Sequence, residues 1–327
     1  MLPFQLVYSS EYYLPLGSHV FPGEKYRMIH DRLLDIRVAA DNDFVAPLEA
    51  TVEDFLLVHT PEYVEKLVTG TLSGAEEMQL EIPWADKMRH GFWLMTGGSI
   101  YAAQQALKDG VCLNIGGGFH HAYPDHGEGF CAVNDVAVAI RRAQKDGLIE
   151  RAMVVDCDVH HGNGTAAIFP PKAAAMVSLP SAQRHGMAQG EQDVFTISLH
   201  QQNNYPAIKP PSSIDVNLPD RVEDTEYLGW LEQAMSSGLR SFTPDLICYI
   251  AGADPYREDT LGGLNLTMEG LKQRDAMVFR IAKSRGIPVM VTYAGGYARD
   301  VRDTVAIHCN TVVAADEVWA DHGATSC

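Results

Sequence analysis

A chain of 327 residues, 46% hydrophobic and 20% charged, has the composition of a protein that buries a large core, which argues against disorder. Its 42 Asp and Glu outnumber 25 Lys and Arg, for a formal charge of −17. Such a surface repels phosphate backbones and anionic lipid, so no direct nucleic-acid or membrane partner is expected; solubility alone accounts for it, and a cationic substrate is compatible with it.

Short apolar runs alternate with amphipathic stretches, the pattern of parallel strands joined by helices. Residues 3–8 form the first predicted strand, followed by helices over 24–39 and 61–68; Thr60 opens the second, with Pro61 at its first helical position. A long helix over 85–108 ends near Gly110, suited to a left-handed cap, and leads into a strand over 111–115. A helix over 131–145 closes near Gly147, and strands follow over 152–156 and 194–199. The last third alternates helix 226–242, strand 246–251, helix 268–284 between Thr267 and Gly286, strand 287–293 and helix 299–318. The strands lack polar alternation, which predicts a sheet covered on both faces. The expected fold class is α/β: a single domain over residues 1–327, with a central, mostly parallel sheet and helices on both sides.

No run reaches the ~18 apolar residues of a membrane span. Met1-Leu2-Pro3-Phe4-Gln5-Leu6 lacks the basic-then-apolar order of a secretory signal. Six cysteines (Cys112, Cys131, Cys157, Cys248, Cys309, Cys327) form no CxxC pair and mostly sit in apolar runs. Reduced, buried thiols in a cytoplasmic compartment are the expectation, with the nucleus open for a eukaryotic source.

Most of the chemistry-bearing motifs lie just past the C-terminal ends of predicted strands, the edge where open parallel sheets bind ligands. Gly116-Gly117-Gly118-Phe119-His120-His121 follows 111–115, and Gly129-Phe130 comes shortly after. Asp156-Cys157-Asp158-Val159-His160-His161-Gly162-Asn163-Gly164 ends strand 152–156; Ala251-Gly252-Ala253-Asp254 and Gly295-Gly296-Tyr297 end two others. Two carboxylates and two imidazoles within six residues, directly after Val154-Val155, are costly to bury unless a cation compensates. Asp158 and His160, two apart, can point to one side of an extended segment, and Asp254 completes a three-ligand set. Three ligands with a position left open describe a catalytic zinc-type site, although oxygen-rich ligation also admits Fe(II), Co(II) or Mn(II). His120-His121 offers a base near neutral pH. Asp156 and Asn163 are natural partners for the pair: a carboxylate stabilises imidazolium, whereas an amide oxygen orients a ring without adding charge. A phenol such as Tyr297, on a glycine turn, can donate to a developing oxyanion. HExxH, the P-loop pattern, Rossmann glycine spacing and a nucleophile-elbow serine are all absent.

With these motifs in this order the chain resembles the zinc-dependent histone deacetylase and acetylpolyamine amidohydrolase family of the arginase-deacetylase fold, and is most similar to its short bacterial-type and class IV-like members. Phe21-Pro22-Gly23-Glu24-Lys25-Tyr26, His59-Thr60-Pro61-Glu62-Tyr63, residues 116–135 and 155–169, Ile197-Ser198-Leu199-His200 and residues 251–267 carry the likeness, which spans about residues 4–315. The resemblance implies zinc on Asp158, His160 and Asp254, with Fe2+ or Co2+ as substitutes. It implies His121 as general base and acid, His120 hydrogen-bonded to Asp156 as electrostatic partner, Asn163 as the group orienting His121, and Tyr297 polarising the acetyl carbonyl. Gly129, Phe130, Tyr205 and Leu261 would line an acyl-lysine tunnel. A structural potassium ion is implied near Asp156, Asp158, His160, Ser198 and Leu199, partly through backbone carbonyls.

The implied reaction is hydrolysis, by metal-activated water, of an acetylated lysine side chain or an acetylated small amine such as an acetylpolyamine. His161 is left with a structural role. A ureohydrolase of this fold would need Asp-x-His-x-Asp, but Gly162 occupies the last position. A catalytically silent binding module would not need the intact set of ligands, histidines and tyrosine. Residues 170–193 form a longer segment than relatives have, read as a tolerated surface loop or as a lid or partner-binding segment that narrows substrate access. Oligomeric state stays open.

Overall fold

Runs such as Ala-Met-Val-Val at 152–155 and Leu-Ile-Cys-Tyr-Ile at 246–250 have no polar face to offer water, so they belong where both sides of a sheet are covered. In the computed structural model, which describes residues 1–171, 182–184 and 193–320, they lie at the centre of one sheet. Its strands are β1 (Leu6–Val7), β2 (Phe44–Val45), β3 (Val111–Asn114), β4 (Ala152–Asp156), β5 (Ala182–Arg184), β6 (Val194–Gln201), β7 (Ile214–Leu218), β8 (Leu246–Ile250) and β9 (Val289–Thr292). The spatial order is β2-β1-β3-β9-β8-β4-β6-β7-β5. Every pairing is parallel except that of β5 with β7 at the edge.

Alternate residues of the central strands feed two separate cores. Met153, Val155, Ile247, Tyr249, Val289 and Val291 pack on the side covered by helices Lys25–Asp35, Asp224–Ser241, Met268–Ser284 and Val301–Trp319. Val154, Cys248, Ile250, Met290 and Cys112 pack on the opposite side, against Ala102, Ala103 and Ala106 of helix Asp86–Asp109 and Val136, Ala139 and Ile140 of helix Asp135–Lys145. The mostly parallel sheet with helices on both faces is thus as expected.

The predicted caps form. Thr60 accepts from the Tyr63 amide and Thr267 from that of Gly270, while Gly110, Gly147 and Gly286 take left-handed φ values of 87°, 69° and 65°. Some boundaries move. The helix expected from 131 starts at Asp135, because Cys131 and Glu128 close a tight backbone bridge and Asn134 caps the helix by accepting from the Ala137 amide. The helix expected to reach 39 stops at Asp35, with Arg37 in the left-handed region. Strands β2, β5 and β7 and the short helices Val52–Phe55, Gly74–Leu80 and Asn163–Ile168 were not anticipated. Apart from β5 and its end residues Pro170, Pro171 and Asp193, the long 170–193 segment lies outside the described residues.

The consequence for the site is topological. The four strands that deliver motifs from their C-terminal ends (β3, β9, β8 and β4) are immediate neighbours at the middle of the sheet. At about 4.8 Å per strand, their end loops converge within roughly 15 Å. Among the described residues, all five cysteines are buried and unpaired, and no helix is long and apolar enough to cross a membrane.

Candidate metal centre and active site

Beyond β4 the chain folds back through its own carboxylates. Asp156 Oδ1 accepts from the Asp158 amide (3.1 Å), and Asp158 Oδ1 accepts from the His160 amide (3.0 Å). Asp158 and His160 therefore face one cavity, where His160 Nδ1 lies 3.0 Å from Asp158 Oδ1 and 3.2 Å from Asp254 Oδ2. Asp254 Oδ1 accepts from the Val159 amide (2.8 Å), whereas its Oδ2 is buried without a hydrogen-bond partner among the described residues. One ligand atom from each of Asp158, His160 and Asp254 lies within 4.8 Å of the others. Burial and then the Asp158 charge push the Asp254 carboxyl up to about 7, since two adjacent buried carboxylates resist joint ionisation without a cation. An orphaned oxygen, two carboxylates and an imidazole fit a divalent metal with an open position.

Glycine makes this approach feasible. A Cβ on Gly295 would collide with Asp254 Oδ2 and lie 2.6 Å from Asp158 Oδ2, while the Gly295 amide donates to Asp158 Oδ2 (2.9 Å). Gly295→Ala is therefore expected to weaken Zn2+ affinity roughly 10–100-fold by displacing both carboxylates. Calorimetric titration of the apoprotein checks this, and unchanged affinity would refute it.

The histidine pair is carried by the turn after β3, where Gly117 and Gly118 have φ values of 70° and 80°. Asp135, fully buried at the start of its helix, holds that turn by accepting from the amides of Gly118 (3.1 Å) and Phe119 (2.7 Å) and from Ser99 Oγ (2.5 Å). His120 Nδ1 lies 2.7 Å from Asp156 Oδ2, and His121 Nδ1 lies 2.7 Å from Asn163 Oδ1. Burial alone would lower the His120 pKa, but Asp156 and Asp158 outweigh it and raise it to about 9. His121 has no such carboxylate, so burial, then the charges on His120 and His160, hold it well below the usual imidazole range. Their surroundings thus push the two rings in opposite directions, His120 toward the charged form and His121 toward the neutral one.

Tyr297 is buried beside the candidate ligand His160, the two ring centroids 6.4 Å apart. Asp259 fixes it: Oδ2 accepts from the Tyr297 amide (2.7 Å) while Oδ1 accepts from those of Leu261 (2.8 Å) and Gly262 (2.9 Å). A pocket of about 170 Å³ opens above these groups, lined by His121, His160 and Tyr297 and by all four tunnel residues expected from sequence, Gly129, Phe130, Tyr205 and Leu261. Glu81 and Asn204 line it as well.

Sequence reasoning missed several residues that build the site. Lys25 is fully buried, donates to the Ala294 carbonyl (2.6 Å) and lies over the Phe21 ring; burial pulls its ammonium down to about 8 against Asp254, Asp158 and Asp259. Arg274, also fully buried, pairs with Asp275 and donates to the carbonyls of Gly252 (2.6 Å) and Cys157 (3.3 Å), joining two ligand-bearing turns. Asp135, Asp259 and Glu128 complete this set. Lys25 lay inside a motif already singled out, but nothing in one sequence pairs it or the others with their distant contacts.

The register sets Ser198 of β6 opposite Asp156 of β4, with the Ser198 hydroxyl 2.9 Å from His200 Nδ1. His161, His200 and Asp215 form a second buried group able to approach one ion. Both ring nitrogens of His200 already have partners, Ser198 and Asn217, and His161 Nε2 lies 3.3 Å from Asp215 Oδ1. Hydrogen bonds within the core engage both His200 nitrogens and His161 Nε2, while His161 Nδ1 is buried without a partner among the described residues.

The histone deacetylase domain pattern matches residues 19–313. An uncharacterized protein of Picosynechococcus sp. is 35% identical over 317 residues, 97% of this chain and 99% of that protein. Histone deacetylase 2 of Arabidopsis thaliana is 30% identical over 315 residues, 92% of this chain and 76% of the plant protein. A crystal structure of an HDAC homologue complexed with SAHA has a TM-score of 0.76 over 97% of this chain and 84% of that one, at 23% identity. An HDAC homologue from Aquifex aeolicus gives 0.75 over 95% and 82%, also at 23%. The solved structures support the fold, and the domain match and the relatives support descent: this chain belongs to the histone deacetylase family.

Proposed function

We propose that the protein is a zinc-dependent deacetylase that hydrolyses the amide bond of acetylated lysine side chains. Family membership supports deacetylase activity in general. The observation that carries the finer reading is the buried carboxylate–imidazole–carboxylate set of Asp158, His160 and Asp254, whose His160 lines one pocket together with His121 and Tyr297. Asp158, His160 and Asp254 would hold the metal, with Fe2+ or Co2+ as substitutes; it supplies Lewis acidity at an amide carbonyl and a water of lowered pKa.

The chain's own groups perform the remaining tasks. His121, neutral and with Nδ1 engaged by Asn163, takes a proton at Nε2 and returns it to the leaving amine. His120, charged against Asp156, keeps His121 from protonating early and favours the negative charge that develops at the acyl oxygen. The Tyr297 hydroxyl donates to that oxygen. Gly129, Phe130, Tyr205 and Leu261 enclose the methylene chain and exclude water from it. A structural potassium ion near Asp156, Asp158, His160, Ser198 and Leu199 belongs to the same reading. Both Asp156 oxygens already accept hydrogen bonds, so backbone carbonyls would supply much of its shell. Residues 1–327 are read as one catalytic domain, and the buried free thiols support a cytoplasmic setting.

Glu81 in the pocket lining favours a second substrate, an acetylated polyamine whose remaining ammonium groups it would attract. Kinetics of the zinc-loaded protein on acetyl-lysine peptides, acetylated polyamines and longer acyl-lysines separate the two. Acetyl-lysine is expected to give the highest kcat/KM, and chelation should abolish turnover until Zn2+ is restored. Failure of the zinc-, iron- and cobalt-loaded protein to hydrolyse any of these amines would overturn the function.

A further inference from the structure

Glu128 precedes the Gly129-Phe130 motif and stands between the pocket wall and the histidine pair. Its backbone is held by reciprocal hydrogen bonds with Cys131 (3.1 and 2.9 Å). Gly129 follows with φ 54°, and a Cβ there would lie 2.7 Å from His121 Cδ2 and 2.9 Å from Tyr205 Cε1. Gly129 is thus wedged against both rings, which stand nearly perpendicular to each other (88°), with Glu128 next to it in the chain. Glu128 Oε1 accepts from Asn163 Nδ2 (2.7 Å) and from the Tyr205 hydroxyl (3.0 Å), and Oε2 is 3.6 Å from His126 Nε2.

An asparagine facing an imidazole is ambivalent. Its oxygen can accept from a ring N–H, or its NH2 can donate to a ring lone pair, and the two orientations select opposite tautomers. An ionised carboxylate removes the ambiguity because it can only accept. Burial alone would raise the Glu128 pKa, but the nearby His126 ring and hydrogen bonds from Tyr205 and Asn163 hold it below the usual carboxylate range. Asn163 must therefore turn its NH2 to Glu128 and its oxygen to His121. The ring proton then sits on Nδ1 and the lone pair on Nε2, the nitrogen that Asn163 leaves free in the pocket.

We propose that Glu128 is a positioning residue that fixes the base-competent tautomer of His121 through Asn163 and anchors the tunnel-wall Tyr205 through the same oxygen. This rests on the reading of His121 as the base. An aspartate in place of Asn163 would specify Nδ1–H by itself, but beside Glu128 it would set two carboxylates against each other at the present 2.7 Å contact. Each residue thus makes sense only with the other.

Glu128→Ala and Asn163→Asp are each expected to lower kcat roughly 10–100-fold with a smaller change in KM, the size typical of losing an orienting hydrogen-bond partner. The double variant should return to within a few-fold of the unmodified enzyme, because the introduced carboxylate orients the ring unaided and no longer faces a second one. Losses that multiply in the double variant, or an unchanged kcat in Glu128→Ala, would overturn the proposal; a recovered double variant also shows that the fold survives both changes. Nitrogen-15 NMR of histidine-labelled protein reads the tautomer without turnover. His121 should carry its proton on Nδ1 in the unmodified protein and populate the Nε2–H form in Glu128→Ala. A ring that stays wholly Nδ1–H refutes the relay, even if the assays show no deacetylation and only the functional reading has failed.

Discussion

Tyr297→Phe lowers kcat by about 10²–10³-fold and leaves zinc affinity unchanged, the expected cost of removing one donor to a developing oxyanion. The phenyl ring keeps its packing against Phe21 and Phe130, at centroid distances of 6.2 and 6.1 Å, so the pocket retains its shape. The backbone turn is held by Asp259 through the Tyr297 amide, which the substitution does not touch. The Tyr297 hydroxyl stays protonated, because burial and then the charges of Asp158 and Asp254 push its pKa well above the usual phenol range. It can therefore only be lost as a donor. Single-turnover kinetics with metal analysis on the same sample test the claim; full retained activity would remove Tyr297 from the mechanism.

Arg274→Leu destabilises the fold by about 3–5 kcal/mol, the usual cost of breaking a buried ion pair from one side. Arg274 and Asp275 are both fully buried, and the substitution leaves the Asp275 carboxylate with only the hydroxyls of Tyr249 (2.5 Å) and Thr311 (2.7 Å). It also removes the donor from the carbonyls of Gly252 and Cys157, in the turns that carry Asp254 and Asp158. Urea unfolding should show the lower midpoint, and zinc titration a weaker site in the fraction that folds. Arg274→Leu with Asp275→Asn should recover part of the loss, because no uncompensated charge stays buried. A double variant no more stable than Arg274→Leu would show that the carbonyl contacts, not the ion pair, dominate.

Much of the scaffold is local information. The apolar runs at 111–113, 152–155 and 246–251 each became a central strand, because a stretch with no polar face to offer water is buried on both sides of a sheet. Thr60, Thr267, Gly110, Gly147 and Gly286 mark helix ends through bonds made within a few residues. β7 escaped notice because Ile214–Leu218 alternates with Asp215 and Asn217, whose burial depends on distant His161 and His200. The short helix Asn163–Ile168 was hidden by the motif that contains its first residues.

The site divides the same way. By itself the amino-acid order determined which groups could bind a metal, move a proton or stabilise an oxyanion, since Asp158, His160, Asp254, His121 and Tyr297 are chemical identities placed at strand ends. Only the tertiary structure decided how those groups are held and charged. Arg274 meets Cys157 across 117 positions and Lys25 meets Ala294 across 269, contacts set by which strands lie side by side. Protonation is likewise collective. His120 and His121 are adjacent copies of one side chain, and they differ because Asp156 faces the first while Asn163, itself oriented by Glu128, faces the second. A pKa depends on the charges and burial around a group, and the fold assembles those from segments the chain keeps apart.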